Sequence, residues 1–251
     1  MQRKRTVLVT GAASGIGAAV CRTMAAPDTA ILVHTRRNRD GADAVAAQIR
    51  QAGGLAAVFL SDLAEPGAAD ATVAEAVRVF GGLDVLVSNA GFADRTPFAD
   101  LTDAAMTASV EDIQGAFFRL ARAAIPHLRA GTDARIVAVS SFVAHTFRTD
   151  IATFPASAAA KAGMEALVRA LAVELGGQNI TVNAVVPGFI RKDTGVHRAI
   201  DPASLSAQAA KIPLGRIGLP NEVAAAVAFL ASPAASYISG QALHANGGLT
   251  I

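Results

Sequence analysis

Seven short runs of aliphatic and β-branched residues recur along the chain, at Thr6–Thr10, Ala30–Thr35, Ala56–Leu60, Val85–Ser88, Arg135–Ser140, Thr181–Val186 and Ala242–Ala245. Alanine-rich stretches with helical spacing of apolar residues fill the intervals. A strand that is apolar throughout must be buried on both faces, and a helix after each strand supplies the cover. The expected fold is therefore a parallel, doubly wound α/β sheet of about seven strands, with helices on both faces and right-handed crossovers. At 251 residues the chain sits at the upper end for one core, and residues 1–251 are read as a single domain.

Composition narrows the partners. Tryptophan is absent and Tyr237 is the sole tyrosine, which suits helices packed closely on a sheet better than an aromatic surface for stacking bases. The net charge of +2 is spread out, and only Arg3-Lys4-Arg5 and Arg36-Arg37 form small basic clusters, so no nucleic-acid partner is expected. The longest apolar run, Val223–Ala231, is about half of what a bilayer span requires. The first strand-like run begins within a few residues of Met1, so neither a leader nor a membrane association is expected. Cys21 has no partner for an intrachain disulfide and reads as a buried small hydrophobe in a reducing compartment. A cytoplasmic protein without a metal site is the expectation.

In a doubly wound sheet, ligands bind beyond the carboxyl ends of the strands, so the residues just after each strand are the informative ones. The first strand runs into Thr10-Gly11-Ala-Ala-Ser14-Gly15-Ile16-Gly17 and then a helix. Glycines there allow a tight turn and let a pyrophosphate meet the free N–H groups of the helix. The spacing is Gly-x-x-x-Gly-x-Gly. Asp62-Leu63 follows the third strand, Asn89-Ala90-Gly91 the fourth, Ser140-Ser141 the fifth and Pro187-Gly188 the sixth. With Lys161 and the C-terminal stretch through Arg216-Ile-Gly, Asn221-Glu222-Val223, Gly240 and Asn246-Gly247-Gly248, the chain resembles the short-chain dehydrogenase/reductase family over nearly its whole length. Its pattern is similar to that of 3-oxoacyl-(acyl-carrier-protein) reductases.

That resemblance implies a Rossmann-type fold in which Gly11, Ser14, Ile16 and Gly17 hold the pyrophosphate. It puts Asp62 and Leu63 at the adenine, and Asn89, Ala90 and Gly91 at the ribose and sheet end. Pro187, Gly188 and Lys161 fall at the nicotinamide half. The second strand ends in His34-Thr35-Arg36-Arg37 with no acidic residue for a ribose 2′-hydroxyl. Arg36 or Arg37, with Arg39 as a third candidate, could pair with a 2′-phosphate, so NADP(H) is the expected cofactor.

The family reduces a carbonyl with a Tyr proton donor, a Lys that makes the phenol more acidic, a Ser that holds the oxygen and an Asn that supports the Lys. Ser141 and Lys161 match two of these. The tyrosine position is Ser157, the asparagine position is Asp112, and the nicotinamide-amide threonine would fall near Lys192, with Thr194 two residues late. An aliphatic hydroxyl is a much weaker acid than a phenol, so Ser157 does not inherit the donor role by position alone. The loop between Ser141 and Ser157 is a few residues longer than in the reductases it resembles and carries His145, which could supply an acid at neutral pH. The candidate reaction centre is thus Ser141, Lys161, Ser157, Asp112 and His145.

Three functions remain open on these residues. One is an NADPH-dependent ketoreductase acting on a 3-oxoacyl or polyketide-like carbonyl, small or carrier-bound, with a non-tyrosine donor. A second is a catalytically silent nucleotide-binding subunit that pairs with an active paralogue. A third is a non-redox cyclase or dehydratase on the same scaffold. The resemblance implies a homo-tetramer or homo-dimer, with a hetero-oligomer under the second reading.

Overall fold

The computed structural model describes residues 4–131, 133–191 and 202–250. The expected positions of Lys192 and Thr194 lie outside the described residues. Seven parallel strands form one sheet: β1 (Arg5–Val9), β2 (Thr29–Thr35), β3 (Leu55–Leu60), β4 (Val85–Ser88), β5 (Ala134–Val139), β6 (Ile180–Pro187) and β7 (Ala242–Ala245). Each run read as a strand is one, with bounds shifted by a residue at most. The strand order is β3-β2-β1-β4-β5-β6-β7. The direction of winding reverses between β1 and β4, which pair in parallel through Val7–Val85, Leu8–Leu86 and Val9–Val87.

The helices are α1 (Gly15–Thr23), α2 (Arg39–Gln51), α3 (Ala68–Phe80), α4 (Asp103–Ser109), α5 (Ala116–Leu128), α6 (Pro155–Gly176), α7 (Pro202–Ala209) and α8 (Pro220–Leu230). Alternation along the strands decides what each face meets. Leu8, Leu32 and Leu86 join a core with Val73, Phe117, Leu120, Met164 and Val168 of α3, α5 and α6. Val7, Val9, Val33, Val85 and Val87 point the other way, against Val20, Val45, Val223 and Val227 of α1, α2 and α8. Burial on both faces is the reason these strands read as continuous apolar runs. Cys21 is fully buried in the second core, and burial pushes its thiol up to about 12, so it behaves as an apolar residue. Among the described residues, no helix is long and apolar enough to cross a membrane.

Two local features set up the chemistry. Between α4 and α5 the chain forms a π-helical turn, Val110–Gly115, which carries Asp112; such turns re-aim side chains within an otherwise regular helix. Helix α6 starts at Pro155, a residue suited to a first helical position, after Phe154 at φ 51° in the left-handed region. That sharp entry starts the helix bearing Ser157 and Lys161 directly from the long loop.

Candidate active site

At the reversal between β1 and β4 a cleft of about 340 Å³ opens beyond the strand ends. It is lined by loops after β1 (Gly11, Ser14), β2 (Arg36), β3 (Asp62) and β4 (Asn89), with Asp112 at its side. Gly11 adopts φ +63°, and a Cβ there would come within 2.9 Å of Ala90 Cα; a Cβ on Gly17 would lie 2.4 Å from the Gly11 carbonyl oxygen. Both glycines are therefore required to bring the turn and α1 this close to β4. Ser14 is the residue at the α1 N-terminus, yet its side chain makes no capping hydrogen bond, so the first amides of the helix face the cleft without that competitor. An open helix start, a glycine cradle and a cation at the far wall form a donor set that fits the phosphates of a dinucleotide.

The loops are held by their own polar groups. Thr10 Oγ1 accepts from the backbone N–H groups of Asn89 and Ala90, each at 3.0 Å, and Asn89 Nδ2 donates to the carbonyls of Thr10 and Gly11 at 2.9 and 3.1 Å. Asn89, expected at the ribose, spends its amide on tying β4 to the glycine turn. Leu63 is buried and its carbonyl accepts from Arg119 at 3.1 Å, so its place at the cleft is fixed by the π-helical turn's neighbour. Ile16 packs partly against the core behind α1. Of the arginines after β2, Arg36 lines the cleft and pairs with Asp62 at 3.7 Å; Arg37 is exposed and is not part of the lining. Asp112 also faces this cleft, and its carboxyl is pushed above the usual range, first by burial and then by Asp62, against the pull of Arg36 and Arg119.

His34 was read only as part of the β2 end, but it is buried and its Nε2 contacts both the Ser61 carbonyl, at 3.1 Å, and the Ser61 hydroxyl, at 3.0 Å. Burial holds it down to about 4, opposed by the Ser61 carbonyl and the charge of Asp62. The unfolded chain takes up the proton near 6.5 and the folded chain near 4, so stability present above pH 6.5 is lost as the pH falls through that interval. A shift of this size corresponds to about 3 kcal/mol. Urea unfolding between pH 7 and 4 is expected to show that loss in the parent and a much flatter profile in His34→Gln.

The second half of the site lies past β5 and on α6. Ser141, after β5, caps a 3-10 turn (Phe142–Ala144), with its Oγ accepting from Val143 N–H at 3.4 Å; it is half-buried. Lys161 is buried, and its Nζ donates to the Val139 carbonyl at 2.6 Å. A Cβ on Gly91 would stand 3.6 Å from that Nζ, so the lysine meets the cleft at its inner end. Burial pulls Lys161 down to about 8, and the charge of Glu165 partly restores it. Ser157, one turn earlier, is also buried, and its Oγ accepts from the backbone N–H of Asp94 at 2.8 Å. The hydroxyl at the tyrosine position thus latches the loop after β4 to α6. Arg95, next along that loop, stacks on Phe154 at 5.6 Å.

His145 is not isolated in its loop. Its Nε2 meets Glu165 Oε1 at 2.9 Å, and its ring stands edge-on to His244 at 4.7 Å between centroids. Glu165 is buried and also accepts from the Ser140 hydroxyl. Sequence reasoning missed Glu165 and His244. The signal for Glu165 was its spacing, four residues after Lys161 and eight after Ser157 on one helix face; nothing local marks His244 on β7. Pro187 ends β6, and a Cβ on Gly188 would lie 2.9 Å from Asn246 Cα, so that glycine admits the C-terminal segment. Phe189 then packs on Phe142 at 4.7 Å in an apolar cluster with Val143, Ile151 and Phe154. Tyr237 is fully exposed in the segment between α8 and β7.

Residues 11–250 match a family model described as enoyl-(acyl carrier protein) reductase. The chain is 38% identical over 249 residues to the cis-4-hydroxycyclohexanecarboxylate dehydrogenase of Sinomonas cyclohexanicum, covering 98% of this chain and 97% of the relative. It is 34% identical over 245 residues to the 3-oxoacyl-(acyl-carrier-protein) reductase of Vibrio cholerae, covering 98% and 97%. A short-chain dehydrogenase from Burkholderia cenocepacia, solved in complex with NADP, superposes with a TM-score of 0.89 at 34% identity over 98% of this chain and 97% of that one. With the winding, the glycine cradle and the lysine at the inner end of the cleft, these likenesses establish that the chain belongs to the short-chain dehydrogenase/reductase family of oxidoreductases.

Proposed function

We propose that the protein is an NADP(H)-dependent ketoreductase in which Lys161, and not a tyrosine, provides the proton. The observation that carries this reading is a cleft at the reversal of the sheet, lined by the glycine turn and Arg36, with a buried lysine near Gly91 at its inner end, combined with a hydroxyl at the tyrosine position that is already engaged by the Asp94 backbone. When bound, the reduced nicotinamide would supply hydride to a carbonyl carbon, leaving on the oxygen a charge that needs a donor. In this reading Ser141 hydrogen-bonds that oxygen. Lys161, near 8, is far better matched to proton transfer at neutral pH than any serine hydroxyl. In this reading the lysine reaches the product oxygen directly or by one water.

Arg36, with no carboxylate at the end of β2 itself, supports a 2′-phosphate. The likeness to a 3-oxoacyl-(acyl-carrier-protein) reductase and to a cis-4-hydroxycyclohexanecarboxylate dehydrogenase supports an acyl or alicyclic carbonyl substrate of the 3-oxoacyl or polyketide-like kind. Exposed Phe118, Val173, Phe229 and Leu243 support assembly into a homo-oligomer. The deciding experiment is NADPH oxidation by purified protein against 3-oxoacyl thioesters, diketones and cyclic ketones. Turnover supports the reading; tight NADPH binding with no turnover in the panel would favour a silent subunit, for which the Ser157 latch is the supporting feature.

Arg36→Ala is expected to weaken NADPH binding about 10- to 100-fold, the loss of one charge-assisted contact, and to leave NADH binding within a few-fold. Calorimetry with both nucleotides checks it, and equal losses for the two would exclude Arg36 as the 2′-phosphate reader.

A further inference from the structure

Helix α6 presents a polar stripe to the ends of the sheet. Ser157, Lys161 and Glu165 follow one another at four-residue spacing, and all three are buried. Residues so spaced lie above one another on one helix face. Ser157 holds the loop after β4, and Lys161 holds the last carbonyl of β5 at Val139. Glu165 has no such evident task, and an ionised carboxylate is costly to bury without partners.

The partners it does have come from three directions. Ser140, the residue directly after Val139, donates its hydroxyl to Glu165 Oε1; His145, in the loop beyond, meets the same oxygen at 2.9 Å. On its own helix, Arg169 lies 4.0 Å from the other carboxylate oxygen, and Lys161 is the next turn back. His244, on β7, meets His145 edge-on and is itself held down by burial and by the neighbouring imidazole. Consecutive residues of one strand end, Val139 and Ser140, thus anchor the lysine and the carboxylate, which sit one turn apart on α6. Among the described residues, the charge of Glu165 opposes the effect of burial on the Lys161 ammonium.

We propose that Glu165 is the positioning residue for Lys161: a buried carboxylate, fixed by Ser140 and His145, that keeps the ammonium in its protonated form at the inner end of the nucleotide cleft. This deepens the reading of Lys161 as the proton donor and rests on it for the catalytic consequence, but not for the electrostatic one. Asp112, at the family's asparagine position, faces Asp62 and Arg36 instead. The support for the lysine has thereby moved to the opposite side of the site. A purely mechanical alternative exists, in which Glu165 only pins the long loop through His145.

The test is Glu165→Gln, which retains groups able to bond Ser140 and His145 while removing the charge. The titration midpoint of Lys161, read by competitive chemical labelling of the nucleotide-free protein across pH and mass spectrometry, is expected to fall by about one unit, the size of effect that a nearby opposite charge exerts. The basic limb of kcat/KM for NADPH-dependent reduction should move by the same amount with little change in KM. Thermal unfolding supplies a readout that needs no activity. The loss of Tm caused by Glu165→Gln should shrink by at least half when introduced beside Lys161→Met, because the ammonium left uncompensated is then gone; a double variant that folds where Glu165→Gln does not is the same result in stronger form. An unchanged Lys161 midpoint, or equal losses of Tm in both backgrounds, overturns the proposal in favour of the loop pin. A shifted midpoint in a protein that oxidises no NADPH would overturn the ketoreductase reading while leaving the role of Glu165 intact.

Discussion

Replacing Lys161 with methionine should abolish most turnover and at the same time make the nucleotide-free protein more stable at pH 7. The two effects share one cause. The lysine lies buried with its Nζ on the Val139 carbonyl, and its proton affinity has dropped to about 8 from an ordinary 10.5, chiefly because burial opposes the charge. A folded value below the unfolded one means that the folded chain holds its proton less tightly. Below pH 8 both states are protonated and the full penalty, about 3 kcal/mol, weighs on the fold; between pH 8 and 10.5 the folded state loses its proton first and the penalty fades. Stability therefore rises with pH across that window. Methionine, of similar length and apolar, removes the penalty, less about 1 kcal/mol for the Val139 carbonyl left without its donor. A net gain of about 2 kcal/mol translates to a Tm about 4–8 °C higher in a chain of this size. Above pH 10.5 the gain should be gone and the variant should be the less stable of the two by about 1 kcal/mol, the cost of the Val139 carbonyl without its donor.

The catalytic cost runs the other way. If Lys161 gives the proton, its loss removes a positioned acid, worth ~10²–10⁴ in kcat/KM. Steady-state NADPH oxidation and thermal unfolding on the same two preparations check both halves. A variant that is less stable at neutral pH, or that keeps its turnover, contradicts the role assigned to the lysine. A residue that costs stability and is kept for chemistry is the usual trade at an active site.

The glycine turn proposed to hold a nucleotide was legible in the sequence because its determinants are local. Gly11, Ser14 and Gly17 sit within one turn, and the strand before and helix after them are adjacent in the chain, so their spacing reports their geometry. The strands were equally readable, since burial on both faces leaves an unbroken apolar run such as Ala30–Val33 with few alternatives. Asp62, Asn89 and Ser141 could be found because each lies within two residues of the end of such a run. The reaction centre was only half legible. Ser157 could be identified as a departure, but its engagement depends on the backbone of Asp94, sixty-three residues earlier, and no pattern in either segment announces that pairing. Glu165 joins Ser140 and His145 from separate segments, and His244 reaches them from the far edge of the sheet. Such contacts are made by the order of strands β5, β6 and β7, which side-chain spacing along one helix does not encode.

Ser157→Tyr is expected to raise kcat toward simple ketones, by less than the ~10²–10⁴ (about 3–5 kcal/mol of barrier) that a positioned acid is worth where none is present, because Lys161 already gives the proton. A phenol at this place would lie one turn before Lys161, whose charge lowers its proton affinity and makes it the better donor. The substitution is not free of structural cost. Ser157 is buried, and its oxygen takes the Asp94 N–H. A ring there must push the loop after β4 away from α6, at a cost of about 1–3 kcal/mol for the added volume. That loop is mostly exposed, and beyond the latch it is tied to α6's entry by the stacking of Arg95 on Phe154, so it can yield without disturbing either core. Assays at matched folded fraction separate the chemical gain from the lost stability. The decisive comparison is the same substitution made beside Lys161→Met. A phenol that works through the lysine should lose most of its advantage there, whereas one that acts alone should keep it. No gain in the parent background, with NADPH affinity unchanged, would mean that the loop after β4 has closed over the place where a ketone must approach Lys161, and the Ser157 latch would then be the feature that silences the site.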